Sequence, residues 1–423
     1  MSFGDILFRR FPPARALEIR DFRLLWMGES ISMVGSQFSS VAWAWLIFQL
    51  TGSGLALGTV LLVGDIPRVV LMLAAGALTD RFSPWKVLLA ANLISGATLG
   101  VLSVLTLTHL IHLWHVYLAS LVFGAMGAFF FPAVFALIPR ALPAERLNAG
   151  NALMESTNGL TSFIGPALAG VLIAGVGRNG GVSLIFALDA GSFAVAALAL
   201  QFMSVGCKGM AAHNNTAGTS PEPHQLLRSV LEGLGLAWRD PGLRTFLLLL
   251  GVNNLAFYGP YRVGLAALAA HRFAGGAAAL GFLYGAWGAG ALLGTVVAGF
   301  VGRLRRYGLL MLAGALVQGV AFLLIGFAPN LVVATLLVVI LGVEGGVGNV
   351  VFGTWLQVRT DPALLGRVTS LVGLANLGLT PLSYALSGAL VDLNPTLMFA
   401  LAGGLVLAAV GLAGTSATVR GME

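Results

Sequence analysis

Long stretches without a charged residue limit most strongly how this chain can fold. Residues 30–64, 273–302 and 307–343 contain no Asp, Glu, Lys or Arg, and each exceeds the roughly 20 residues that cross a bilayer as a helix. Charged residues are 9% of the chain and hydrophobic residues 58%, which leaves too little polar surface to face water all round. Because backbone groups in lipid need partners within their own segment, and no alternating barrel pattern is present, we predict an all-α integral membrane protein.

The apolar runs predict twelve transmembrane helices. They cover residues 24–50, 55–78, 87–107, 114–138, 153–177, 182–203, 245–267, 279–302, 307–328, 331–356, 368–391 and 396–418. An even number of spans places both termini on the same side of the membrane.

The second half of the chain repeats features of the first half. Arg20-Asp21, which precedes the first span, returns as Arg239-Asp240 before the seventh, and four further matches follow in the same order. Two pseudo-symmetric six-helix halves are therefore predicted. The predicted domains are the N-terminal half 1–203, a cytoplasmic linker with an amphipathic helix at 204–240, and the C-terminal half 241–423.

Basic residues are distributed unevenly between the predicted loops. Most of the 23 Lys and Arg residues lie on the side of the termini, and the loops of the other side hold only Arg178 and Arg272. Since positively charged loops stay in the cytoplasm, both termini are predicted to be cytoplasmic. This asymmetry accounts for the net charge of +7, so no nucleic-acid partner is expected.

The most specific local motif, Gly76-Ala77-Leu78-Thr79-Asp80-Arg81, closes the second span. The Asp80 carboxylate can accept hydrogen bonds at a helix N-terminus or pair with an arginine, and such a contact can be broken and remade. Arg140-x-x-Pro143 and its repeat Arg359-x-x-Pro362 provide further basic residues on the same side. The predicted cytoplasmic gate consists of Gly76, Asp80, Arg81, Arg140 and Arg359.

This motif resembles the cytoplasmic signature of the major facilitator superfamily, Gly-x-x-x-Asp-Arg followed by a glycine and basic residues. The resemblance covers nearly the whole chain, including the spans, the two halves and the central loop. Phe22-Arg23-Leu24-Leu25-Trp26-x-Gly28 is similar to a segment of the bacterial exporters grouped with the enterobactin exporter. The sequence departs from the signature at Ser83-Pro84-Trp85, and its fourth span lacks the arginine that drug and proton antiporters commonly carry there.

The resemblance implies a monomeric secondary transporter of a bacterial cytoplasmic membrane, whose halves rock about a central site. It implies export of a small amphipathic compound, drug-like or siderophore-like, driven by inward proton flow and without a cofactor. A metabolite-importing symporter remains an alternative, as does a transport-inactive sensor or lipid-handling scaffold. No nucleophile elbow, phosphate loop or metalloprotease motif is present, so we do not expect an enzyme.

Charged residues within the spans are costly in lipid and therefore mark functional candidates. Asp65 and Arg68 lie on one face of the second span and are predicted to pair. Glu344, at similar depth in the tenth span, has no cationic residue within a helical turn. Because burial disfavours the charged form of a carboxyl group, we predict that Glu344 carries the proton. Glu29 and Asp189 lie closer to the ends of their spans than Glu344 does. Either a role in transport or interhelical hydrogen bonding would explain a carboxyl group there.

Polar residues in three other spans complete the predicted site. Asn158 and Asn376 occupy matching depths in the two halves, where they either contact a cavity or bond between helices. The seventh span carries Asn253-Asn254, Tyr258 and Arg262. Arg262 either faces the site or extends to the outer interface.

Gly165-Pro166 and Gly259-Pro260 predict hinges, because proline frees a backbone carbonyl and glycine loosens the turn.

A metal site is permitted by the spacing of three histidines around one predicted outer loop, His109, His112 and His115. No carboxylate accompanies them, so we prefer an interfacial aromatic belt and expect no metal.

Overall fold

The computed structural model describes residues 12–204, 241–300, 307–359, 372 and 378–415. Helices stand at all twelve predicted positions within these residues. In chain order they are α1 (Arg20–Thr51), α2 (Gly54–Phe82), α3 (Pro84–Leu107), α4 (Leu113–Ala141), α5 (Leu147–Val176), α6 (Arg178–Gln201), α7 (Pro241–Gly259 and Leu265–His271), α8 (Ala277–Phe300), α9 (Tyr307–Gly326), α10 (Leu331–Arg359), α11 (Thr380–Leu393) and α12 (Pro395–Thr415).

Ten of the described helices are individually long and apolar enough to cross a membrane. The other two are α7, which a π-helical turn at Pro260–Gly264 interrupts, and α11, which is described as a continuous helix from Thr380. The all-helical, multi-pass prediction is confirmed. Several helices extend beyond the predicted span, as α5 does in beginning at Leu147, because hydropathy locates the apolar part and backbone hydrogen bonding decides where the helix ends.

Helix packing follows the predicted pseudo-symmetry of the two halves. In the N-terminal half α2 packs on α4 and α3 packs on α6, and the equivalent pairs α8 with α10 and α9 with α12 pack in the C-terminal half. The two halves meet through α5 with α8 and α2 with α11, again an equivalent pair of contacts. The predicted fold of two six-helix halves is therefore confirmed.

Glycines let several of these helices approach at backbone distance. An ideal Cβ at Gly290 would lie 2.2 Å from the carbonyl oxygen of Val339, so the backbones of α8 and α10 touch. Between the halves, an ideal Cβ at Gly281 would lie 2.3 Å from the Pro166 carbonyl oxygen. Close helix contacts of this kind stabilise bundles in lipid, where apolar burial contributes little.

The backbone of α7 is irregular at Gly259-Pro260, where the sequence predicts a hinge. The π-helical turn begins at Pro260, whose ring removes one backbone donor. The Ser383 hydroxyl of α11 donates to the Leu255 carbonyl (2.6 Å) and accepts from the Gly259 amide (2.7 Å), so it bridges two groups that would bond each other in a regular α-helix. By contrast, α5 runs through Gly165-Pro166 without interruption. Hinge motion at either position remains a prediction.

Candidate functional site

A cavity of about 470 Å³ lies inside the C-terminal half. Its walls come from α7, α8, α9, α10 and α12, and they are mostly apolar and aromatic. It extends from Tyr258 and Trp287, in the middle of their helices, to Gly308 at the start of α9 and Phe352 near the end of α10. Under the predicted orientation, these last two residues lie at the cytoplasmic end, so the cavity leads from mid-membrane towards the cytoplasm.

Glu344 is the only carboxyl group among the described residues that line this cavity. An ideal Cβ at Gly314 of α9 would lie 2.9 Å from its Oε1 atom, so the carboxyl group lies against the bare backbone of the next helix. Neither an ion pair nor a hydrogen bond joins it to any side chain that the structure describes. Glu344 is therefore placed where a proton or a substrate can reach it. The predicted residues Asn253, Asn254 and Tyr258 line the same cavity.

The two shallower carboxyl groups of the N-terminal half have different surroundings. Asp189 is fully buried and accepts hydrogen bonds from the hydroxyls of Ser39 and Ser192. Glu29 is also buried and accepts one bond, from Asn92 Nδ2 at 3.3 Å, while its Oε2 atom has no partner in the described part of the chain. Asp189 thus has the environment of a structural residue, and Glu29 retains a free carboxyl oxygen.

Asp65, Arg68 and Arg262 form a charged cluster where the two halves meet. Both arginines interact electrostatically with Asp65, although no ion pair joins them within the described residues. The Arg262 guanidinium lies over the rings of Tyr261 (5.6 Å) and Tyr284 (5.4 Å). Arg262 therefore faces the protein interior and does not extend to the outer interface.

One end of the interface between the halves is tightly closed. Asp392, near the end of α11, accepts hydrogen bonds from the backbone amides of Gly54 (2.5 Å) and Leu55 (3.2 Å) and from the Ser53 hydroxyl (2.5 Å) at the start of α2. An ideal Cβ at Gly58 would lie 2.3 Å from the Tyr384 carbonyl oxygen, so the helix backbones touch beside this contact. Under the predicted orientation this is the outer end.

Several predicted residues lie outside the described part of the chain or away from the cavity. Asn376 and most of the predicted linker are not described, and only the backbone is described at Gly76, Asp80, Arg81 and Arg359. Asn158 is exposed near the contact of α5 with α8. The cytoplasmic gate therefore stays a prediction.

Two of the three outer-loop histidines, His112 and His115, are engaged in helix capping and ring contacts. The His115 Nδ1 atom accepts a bond from the His112 amide (3.0 Å), and the His112 ring bonds the Leu110 carbonyl (2.8 Å). The His115 ring stacks on Trp114 with centroids 3.7 Å apart. These contacts fit the interfacial role preferred from the sequence.

Sequence reasoning missed Gln318, Trp287 and Asp392. Gln318 lines the cavity and has the only strongly polar side chain in α9. An isolated polar residue in an apolar span was visible in the sequence and could have identified it. Asp392 carried no such signal, because it lies at the end of a span where carboxyl groups are common.

Twelve described helices in two pseudo-symmetric halves, with a cavity inside the C-terminal half, are the architecture of a membrane transporter. The chain belongs to the major facilitator superfamily, whose family model matches residues 25–379. It is accordingly a transporter of small molecules and not an enzyme.

Characterised relatives match nearly the whole chain. The multidrug efflux pump Tap of Mycolicibacterium fortuitum is 28% identical, covering 85% of this chain and 86% of the pump. The enterobactin exporter EntS of Shigella boydii is 29% identical, and the match covers 92% of this chain and 90% of the exporter. Macrolide efflux protein A of Streptococcus pyogenes is 24% identical, and the match covers 91% of this chain and 93% of that protein.

Solved structures share the fold at low identity. The nucleoside transporter NupG superposes with a TM-score of 0.71 at 14% identity, covering 93% of this chain and 98% of that one. A bacterial homologue of the iron transporter ferroportin, in an inward-facing state, superposes with a TM-score of 0.69 at 18% identity, covering 93% and 97%.

Proposed function

We propose that this chain exports a small amphipathic compound from the bacterial cytoplasm in exchange for protons. The observation that carries the proposal is Glu344, a carboxyl group without a described partner in a largely apolar cavity that leads towards the predicted cytoplasmic side. Protons and the polar group of a substrate compete for this carboxyl group, so inward proton flow drives substrate outward. The names of the relatives as efflux pumps and an exporter support the direction.

The proposal is tested with purified protein in liposomes and a panel of cationic, anionic and neutral amphipathic compounds. An antiporter accumulates its substrate when the liposome interior is acidic, and an ionophore that collapses the pH gradient abolishes accumulation. Accumulation only with an acidic exterior would identify a symporter instead. Transport that ignores the pH gradient would refute proton coupling.

The proposed orientation in the membrane places both termini and the central linker in the cytoplasm. Thr216 belongs to that linker and lies outside the described residues. A cysteine at this position (Thr216→Cys), introduced after Cys207→Ser, is expected to react in intact cells only with membrane-permeant maleimides. Labelling by an impermeant maleimide would reverse the orientation.

We further propose that the Asp392 contact holds the outer end closed while the cavity is open to the cytoplasm. Replacing a capping carboxylate by alanine costs about 0.5–2 kcal/mol, so Asp392→Ala is expected to shift the population towards separated α2 and α11. Spin labels at Leu55 of α2 and Leu393 of α11, both exposed near this end, are expected to report longer distances.

Asp392→Asn provides the graded control for this measurement, because the amide keeps one oxygen acceptor for the α2 amides. Its distance distribution is expected to fall between those of the parent protein and Asp392→Ala. If Asp392→Ala leaves the distances unchanged, the glycine contacts alone hold this end closed.

A further inference from the structure

Two hydrogen-bond donors on the cavity wall have no acceptor among the described residues. They are the side-chain amide Nε2 of Gln318 and the indole Nε1 of Trp287. Gln318 is 2% exposed and stands in a helix that is otherwise apolar. An unsatisfied buried donor destabilises a protein, so such a donor suggests that the residue has a role other than stabilising the fold.

Both donors line the same cavity as Glu344 and lie near the segment of α10 that carries it. The Glu344 carboxyl group lies against Gly314, and Gln318 follows one helical turn later on the same face of α9. An ideal Cβ at Gly345, the residue after Glu344, would lie 4.0 Å from Trp287 Nε1. A carboxyl group and two donors therefore share one region of the wall.

Aromatic rings surround this polar region and leave space for an apolar body. Trp287 packs against Phe257 and Tyr261, with ring centroids 6.3 Å and 5.3 Å apart. Phe257 and Tyr258 line the cavity together with Trp287. Pockets of this composition hold an apolar framework and use a few polar groups to select it.

We propose that Gln318 and Trp287 recognise an acceptor oxygen of the substrate, while the Glu344 carboxylate binds a neighbouring ammonium or hydroxyl group. The substrate class is then an amphipathic amine or alcohol that carries an oxygen close to its donor group. This deepens the proposed function and rests on it for the role of Glu344. A proton on Glu344 displaces the donor group of the substrate, which is the competition that exchange transport requires.

The test compares two amines of equal length that differ in their oxygens. Propranolol carries an ammonium, a hydroxyl and an ether oxygen, and N-isopropyl-4-(1-naphthyl)butylamine lacks both oxygens. Binding of each tritiated amine is measured on purified full-length protein in detergent, without a pH gradient, so the result is independent of proton coupling. Propranolol is expected to bind about tenfold more tightly, because the analogue leaves the two donors unpaired.

Gln318→Leu and Trp287→Phe remove the donors and keep the apolar volume. Each is expected to weaken propranolol binding and leave the oxygen-free amine unaffected, so that the preference disappears in the double variant. Gln49→Leu is the matched control, because the Gln49 amide is also buried without a described partner but does not line the cavity. It is expected to preserve the preference for propranolol.

Thermal unfolding distinguishes recognition from a structural role for Gln318. Removing an unsatisfied buried donor does not lower stability, so Gln318→Leu is expected to unfold at or above the temperature of the parent protein. A lower unfolding temperature would make Gln318 a structural residue and overturn the proposal. Equal affinity for the two amines, binding of neither, or a preference that survives both substitutions would overturn it as well.

Discussion

Glu344→Gln is expected to abolish substrate accumulation driven by a pH gradient. Glutamine has nearly the same shape but cannot take up or release a proton, so the transport cycle loses its coupling step. Its side-chain oxygen still accepts a hydrogen bond, so substrate binding and downhill exchange are expected to remain measurable. Accumulation with an imposed gradient and exchange without one, both measured in liposomes, separate the two effects.

Glu155→Gln is the control, since Glu155 is an exposed carboxyl group in α5 and its removal is expected to leave accumulation unchanged. If Glu344→Gln still concentrates substrate with protons as the only driving force, Glu344 is not the coupling residue. Glu29 would then be the next candidate, ahead of Asp189, because it keeps one carboxyl oxygen without a described partner.

Gly281→Ala is expected to reduce transport by about one to two orders of magnitude. The added methyl group would lie 2.3 Å from the Pro166 carbonyl oxygen and 2.8 Å from Gly170 Cα, so α5 and α8 must separate to admit it. Overpacking of this kind typically costs about 1–3 kcal/mol, which disfavours by that amount any state in which α5 and α8 are in close contact. The initial transport rate per folded molecule measures the effect.

Gly299→Ala is the matched control, because Gly299 lies in the same helix and an ideal Cβ there meets no atom within 4 Å. Its transport rate is expected to equal that of the parent protein. Equal losses in both variants would assign the effect to α8 itself, and an unchanged rate in Gly281→Ala would show that close contact of α5 and α8 is not required in the cycle.

The sequence alone was sufficient to establish the membrane environment, the helical spans and the two related halves. Those properties depend on local hydropathy and on backbone hydrogen bonds within each span. Both are determined by residues that are close together in the sequence. The depth of Glu344 in its span and the absence of a nearby cation in the same helix can likewise be read from neighbouring residues in the sequence. Among the described residues Glu344 has no ion-pair partner, and the structure adds the cavity around it.

The sequence could not distinguish Asp189 from Glu29, because their hydrogen-bond partners come from other helices. Ser39, which bonds Asp189, is 150 residues away in the chain. The same reason concealed the closure at Asp392, whose partners lie more than 330 residues earlier.

Arg262 shows the same division between local pattern and tertiary contact. Its position near the end of a span fitted both an interior and an interfacial side chain, and the rings of Tyr261 and Tyr284 decide for the interior. The sequence by itself determined which segments enter the membrane and which of their groups are costly there. The tertiary structure alone decided which of those groups find partners, because satisfying a polar group in lipid depends on residues that only folding brings together.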